Sequence, residues 1–234
     1  WWNPIVIKEL ANSAHMDGLI MALVLASLLL STRGLHFRAI AVGALAVGTK
    51  LWPVLLLPLL LRPLVDRPAR LASGVALAGA VITIVMLPAT LGGGGAHDGF
   101  LAYARLWRTG SAAFPLVEDV IAAILDPLGR RDEAWMLARG LVGGVLVTLA
   151  LLLARRPIAN TRDLMRRAGL LTLWLVLASP AQFPWYVIWT LPFVAFRPRL
   201  AVIAMTALVP LYYVSFHLVA RGAYHVYAHG IVWL

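Results

Sequence analysis

The sequence contains no cysteine. That excludes a disulfide framework, a thiolate metal site and a cysteine nucleophile. It is also poor in charge: 13% of its 234 residues are charged and 62% are hydrophobic, and the mean hydropathy is +0.86. Soluble globular domains carry charge on about a quarter of their residues. Strict apolar/polar alternation is missing, which argues against a transmembrane barrel. No serine nucleophile elbow is present, and "GGGG" at 92–95 lacks the Lys-Ser/Thr pair and the strand-to-helix setting of a phosphate loop. No internal repeat or separate soluble region is visible, so residues 1–234 read as one domain.

What the sequence has instead is long apolar runs. Leu19–Leu30, Leu71–Leu87, Leu137–Ala154 and Leu200–Val219 reach or approach the length that crosses about 30 Å of hydrocarbon as a helix. With no water to satisfy the backbone, such runs predict an all-α, polytopic transmembrane helix bundle. The formal charge of +10 would suit nucleic acid if it lay on one soluble face. The Arg residues instead fall in short clusters between apolar runs and read as topology determinants, so nucleic acid is not an expected partner. Residues 31–38 and 62–70 each carry a net +2 and residues 155–167 a net +4, which predicts cytoplasmic loops. Residues 92–134 carry a net −2 and residues 1–17 a net −1, and belong outside.

Two basic loops on one side leave a single apolar stretch, residues 39–61, that must enter and return. Arms of about 11 residues rise only about 16 Å, so a re-entrant hairpin is expected with Lys50 near its tip and Pro53 just beyond; one proline-kinked span is the alternative. A second broken hairpin is expected at residues 170–196, its arms meeting at Ser179–Tyr186. Both tips are candidates to line one cavity, because irregular backbone at membrane depth needs protein or water around it. In the outer segment, Phe100, Tyr103, Leu106 and Trp107 recur at spacings of three and four and predict an amphipathic interfacial helix.

The few polar residues near apolar runs carry the chemistry. Asn3-Pro4 is a helix start, with Asn capping and Pro in the first turn. Lys8 and His15 share a face if that helix is unbroken, and Asp17 lies near the start of the next. These groups either cap and pair locally or line an outward polar cavity; ionisable residues at membrane depth are functional candidates. Lys50 has no acidic neighbour in sequence. Its ammonium either snorkels to an interface or meets an anion brought by a ligand, such as a phosphate. Gln182, Trp185 and Tyr186 belong either to an interfacial aromatic belt or to a surface for a sugar ring or lipid. His225 and His229, four apart, have no Glu or Cys near them, and a metal is not expected there or at His15 and Asp17.

Taken in order, "WNPIVIKELANSAHMD", "GTKLWPVLLLPLLLRP" and "SPAQFPWYVIWTLPF" resemble motifs of the multi-spanning glycosyltransferases of the C superfamily. The likeness is to the bacterial mannosyltransferase-like branch related to polyprenol-phosphate-mannose-dependent enzymes, and it covers nearly the whole chain. The resemblance implies an enzyme of the bacterial plasma membrane, its site facing away from the cytoplasm. A hexose would pass from a polyprenyl-phosphate carrier to a hydroxyl on a glycan or lipid acceptor, with no cofactor. Lys50 would pair with the donor phosphate, His15 and Asp17 would face the donor or acceptor sugar, and Gln182, Trp185 and Tyr186 would border the cavity, with Lys8 also among the substrate-binding residues. The family's catalytic carboxylate usually sits in a first outer loop. This chain begins downstream of where that loop is expected, so it reads as lacking its upstream helix and loop; otherwise Asp17 or Glu9 takes the role. A lipid-linked-sugar transporter or flippase and a non-catalytic membrane subunit are the alternatives, the former usually built of two related halves.

Overall fold

The computed structural model describes residues 3–91, 111 and 113–223. The expected interfacial residues Phe100–Trp107, the "GGGG" stretch and the His225/His229 pair lie outside the described residues. Among the described residues every regular element is a helix. The longer ones, in chain order, are α1 (Pro4–Asn12), α2 (Asp17–Thr32), α3 (His36–Thr49), α4 (Trp52–Leu64), α5 (Pro68–Leu91), α6 (Ala113–Leu125), α7 (Ala134–Arg155), α8 (Thr161–Ala178), α9 (Pro184–Phe196) and α10 (Leu200–Ala220).

Three stretches, Pro68–Pro88, Arg131–Arg155 and Leu200–Ala220, are helices long and apolar enough to cross a membrane. They mark a membrane protein. Ile84, Leu141, Leu151 and Phe216 on them are exposed, which is costly in water and ordinary against lipid tails. Leu19–Leu30, expected to be a further span, lies in α2, whose 16 residues rise only about 24 Å; taken with α1 it is apolar enough to make a fourth, broken span. Its Ile20, Val24 and Leu28 are buried in protein.

The described residues form two compact units. One draws on the stretches Met16–Trp107 and Val145–Leu171. In it α3 packs against α2, α4 and α5, and the break between α3 and α4 makes a helical hairpin with Lys50 at the turn. Lipid is as apolar as leucine, so helices associate there through close packing. Glycine permits it: a Cβ on Gly43 would lie 2.6 Å from Leu60 Cδ1, and one on Gly48 would lie 2.9 Å from Val85 Cβ.

In the same unit, the linker from α7 to α8 is fixed by a buried arginine. Arg167 donates to the carbonyls of Leu153, Arg156 and Pro157 at 2.6–2.9 Å and to Asp163. Asn160 caps α8 by accepting from the Asp163 N–H at 3.0 Å. Burial of Asp163 opposes its ionisation, but hydrogen bonds from Arg167, Arg166 and the Ala159 N–H outweigh it and hold the carboxyl at about 2.

The other unit draws on the stretches Trp1–His15, Arg108–Gly144 and Thr172–Leu234. There α1 packs against α9 and α10. Asn3 caps α1, its Oδ1 accepting from the Ile5 N–H at 3.1 Å, while its Nδ2 donates to Thr206 of α10 at 3.0 Å. In α6 Phe114, Ala122 and Leu125 are buried while Leu116, Val120 and Ile124 are exposed.

Candidate functional site

Two clusters of ionisable side chains stand out, one in each unit. The first begins with the geometry of α1. After Val6 the helix widens to π-type hydrogen bonding over Ile7–Asn12, closing with the Ser13 N–H on the Lys8 carbonyl at 2.9 Å; such widenings are frequent at functional positions. Ala14 then adopts a left-handed conformation, φ 52°, and the chain turns so that the His15 N–H donates to the Glu9 carbonyl at 2.9 Å. The helix is therefore broken, and the expected sharing of one face by Lys8 and His15 does not apply. The turn brings His15 to Glu9 instead.

Glu9 is completely buried. A buried carboxylate needs partners or the cost of burial removes its charge. Tyr213 of α10 donates its hydroxyl to Oε1, and Lys8 Nζ lies 4.0 Å from the same oxygen. Lys8 also donates to Ser13 Oγ at 2.6 Å and stands 4.7 Å over the Tyr213 ring. His15 Nε2 lies 3.2 Å from Oε2, but outside hydrogen-bond alignment, so Oε2 is a buried oxygen without a donor. The His15 imidazole, 31% exposed, stacks on Trp185 at 4.1 Å between centroids.

Trp185 belongs to an aromatic wall on α9. Phe183 stacks on it at 4.5 Å, and Tyr186 meets both edge-on and stacks on Trp189 at 4.3 Å. Proline at 184, where the backbone follows an extended Phe183, opens this tight helix. Gln182 donates its amide to the Leu177 carbonyl at 2.8 Å, which satisfies the end of α8. Of the residues predicted from sequence, Lys8, Glu9, His15, Trp185 and Tyr186 are thus gathered in one unit with Gln182 nearby in the chain. Tyr213 and Phe183 were missed, since a tyrosine in an apolar helix and a phenylalanine between prolines carry no signal of their own.

The second cluster is the pair Asp17–Lys50. Asp17 lies in the first turn of α2, where its charge suits the helix dipole. Lys50 ends α3 with an extended backbone, φ −161° and ψ 141°. Its Nζ donates to Asp17 Oδ1 at 3.0 Å, with the carboxylate side chain 2% exposed and the lysine 25% exposed. The counter-charge of Lys50 is therefore a protein carboxylate 33 residues upstream, rather than the membrane interface or the ligand anion expected from sequence. Distance along the chain hid the pair.

Protein-family models, curated proteins and solved structures yield no match to this chain. The reading of the two clusters therefore rests on their own chemistry.

Proposed function

We propose that the chain is a polytopic membrane glycosyltransferase that moves a hexose from a polyprenyl-phosphate carrier to a hydroxyl on a glycan or lipid acceptor, on the outer face of a bacterial plasma membrane. The observation that carries this reading is the Asp17–Lys50 pair at the turn of a helical hairpin in an apolar chain. A partly exposed ammonium, oriented by a buried carboxylate, is a site where the charge of a phosphate ester is compensated. As the sugar leaves, charge develops on that phosphate, and a fixed cation beside it lowers the barrier.

The aromatic wall of Phe183, Trp185 and Tyr186 supports the same reading in the other unit, because flat rings offer apolar faces to a pyranose or a prenyl chain. His15 and Lys8 supply polar groups beside it.

The test uses membranes containing the natural protein and a radiolabelled polyprenyl-phosphate hexose. Label transferred to a hydroxyl acceptor, lost in Lys50→Met at unchanged expression, supports the reading. Label that crosses the bilayer with its phosphate bond intact identifies a carrier instead, and a Lys50→Met protein that still binds donor normally removes the phosphate assignment.

A further inference from the structure

A third group of charges lies at the opposite end of α3 from Lys50, within one compact unit. The 14 residues of α3 rise about 20 Å. They follow a tight reversal in which Gly34 takes φ 75° and the Leu35 N–H donates to the Leu30 carbonyl at 3.0 Å. Residues 31–38 and 62–70, the turns before α3 and before α5, carry five arginines against one aspartate, a net +4. Packing brings these turns together. A Cβ on Gly74 of α5 would lie 3.0 Å from Leu64 Cδ1, 3.1 Å from Leu61 Cδ2 and 3.2 Å from Ile40 Cδ1. His36 and Arg70 stand one helical turn before Ile40 and Gly74, and Arg62 stands between Leu61 and Leu64. The Arg70 guanidinium lies 5.6 Å from the centre of the Phe37 ring.

We propose that these two turns bind the phosphate of an anionic phospholipid, on the side of the membrane that the arginines assign to the cytoplasm. Buried donors without acceptors carry the argument. The Arg62 side chain is 12% exposed, and its nearest carboxylate, on the exposed Asp66, stands 3.8 Å from Nη1. Arg62 Nε and His36 Nδ1 are both buried without a hydrogen-bond partner among the described residues. Such groups are costly to enclose, and phosphate oxygens accept from both once the imidazole carries its proton at Nδ1. Burial, and after it the charge of Arg70, lower the pKa of His36; a bound anion offsets the Arg70 charge and favours the protonated ring. The start of α3 adds to this field, since Leu35 at its cap position offers no side-chain acceptor to the first-turn N–H groups.

The apolar residues of the same turns point to a lipid as the source of the phosphate. Leu35 and Val65 are exposed beside the arginines, an arrangement suited to the border between headgroups and acyl chains. A free anion in water gains nothing from them. The site is separate from the Asp17–Lys50 pair and does not depend on the transferase reading.

The experiment takes the natural protein purified in a neutral detergent and measures retention of tritiated dioleoyl phosphatidylglycerol on gel filtration as the lipid concentration is raised. Dioleoyl phosphatidylcholine and inorganic phosphate serve as competitors. Saturable retention that neither competitor displaces is expected. Each arginine near an anionic headgroup is worth about 5-fold in affinity, so the double variant Arg62→Gln, Arg70→Gln should raise the dissociation constant about 30-fold. The control Arg197→Gln, Arg199→Gln removes the same charge from the turn between α9 and α10 and should leave it within about twofold. Should the first double variant fail to accumulate, Arg70→Gln alone, at an exposed position, is expected to weaken retention about 5-fold, and His36→Gln to weaken it as well. Natural affinity in the double variant, or in both single variants, overturns the proposal. So does equal weakening by the control, which would show general attraction to charge. Displacement by phosphatidylcholine removes the anionic headgroup, and displacement by inorganic phosphate removes the lipid; either result overturns it.

Discussion

Both lysines of this chain stand beside buried carboxylates, Lys8 by Glu9 and Lys50 by Asp17. Removing one partner of such a pair leaves an uncompensated charge, at a cost of about 3–5 kcal/mol when both are buried; the partial exposure of Lys50 moderates this. Asp17→Asn and Lys50→Met should each lower the thermal midpoint in detergent. The double variant should be more stable than the sum of the two losses implies, by at least about 0.5 kcal/mol of coupling. Strict additivity would show that the pair contributes nothing. Ala14 gives a second prediction at this scale. Glycine removes the left-handed strain of about 1–2 kcal/mol but gains freedom in the unfolded chain, so Ala14→Gly should stabilise by about 0.5–1 kcal/mol, read as a raised thermal midpoint. Much of the residue chemistry was legible in the sequence: Asn3-Pro4 announces its own cap, and Lys50 is conspicuous by its apolar surroundings. Its partner was not legible, because the pairing of Asp17 with Lys50 depends on how α2 packs against α3.

At the scale of elements, the hairpin at Lys50 followed from charge balance and arm length alone. Its close packing follows from glycine. A Cβ on Gly48 meets Val85, so Gly48→Ala should destabilise even though alanine favours a helix by about 1 kcal/mol; overpacking of about 1–3 kcal/mol wins or offsets it. A variant clearly more stable than the natural protein would contradict this packing. The linker from α7 to α8 predicts a pH dependence. Asp163 is held at about 2 in the fold, below the value near 3.9 of a free aspartate. The unfolded chain therefore takes up the proton first. The stabilisation is complete above about pH 5 and declines as pH falls toward 2. Thermal midpoints recorded across that window should fall for the natural protein, and Asp163→Asn should lose this component of the fall. The widened hydrogen bonding of α1 and its break at Ala14 could not be read from sequence, since nothing in "IKELANSA" departs from an ordinary helix pattern. The apolar run Leu19–Leu30 lies in α2, which with α1 is apolar enough to make one broken span; the break itself left no mark in the apolar composition.

For the whole molecule, the placement of arginines predicts an orientation. The chain has no cysteine, so single cysteines report cleanly on sidedness. Arg156→Cys should react with an impermeant maleimide only after the membrane is opened, and Ser13→Cys should react in intact cells; the reverse pattern would invert the molecule. The decisive event is the breaking of the bond between sugar and phosphate. Membranes carrying the natural protein are given a polyprenyl-phosphate hexose labelled in the sugar, with a hydroxyl acceptor, and the label is followed. The account predicts label covalently joined to the acceptor, with free polyprenyl phosphate released in equal amount. Label that remains on the polyprenyl phosphate, on either side of the membrane, would contradict it.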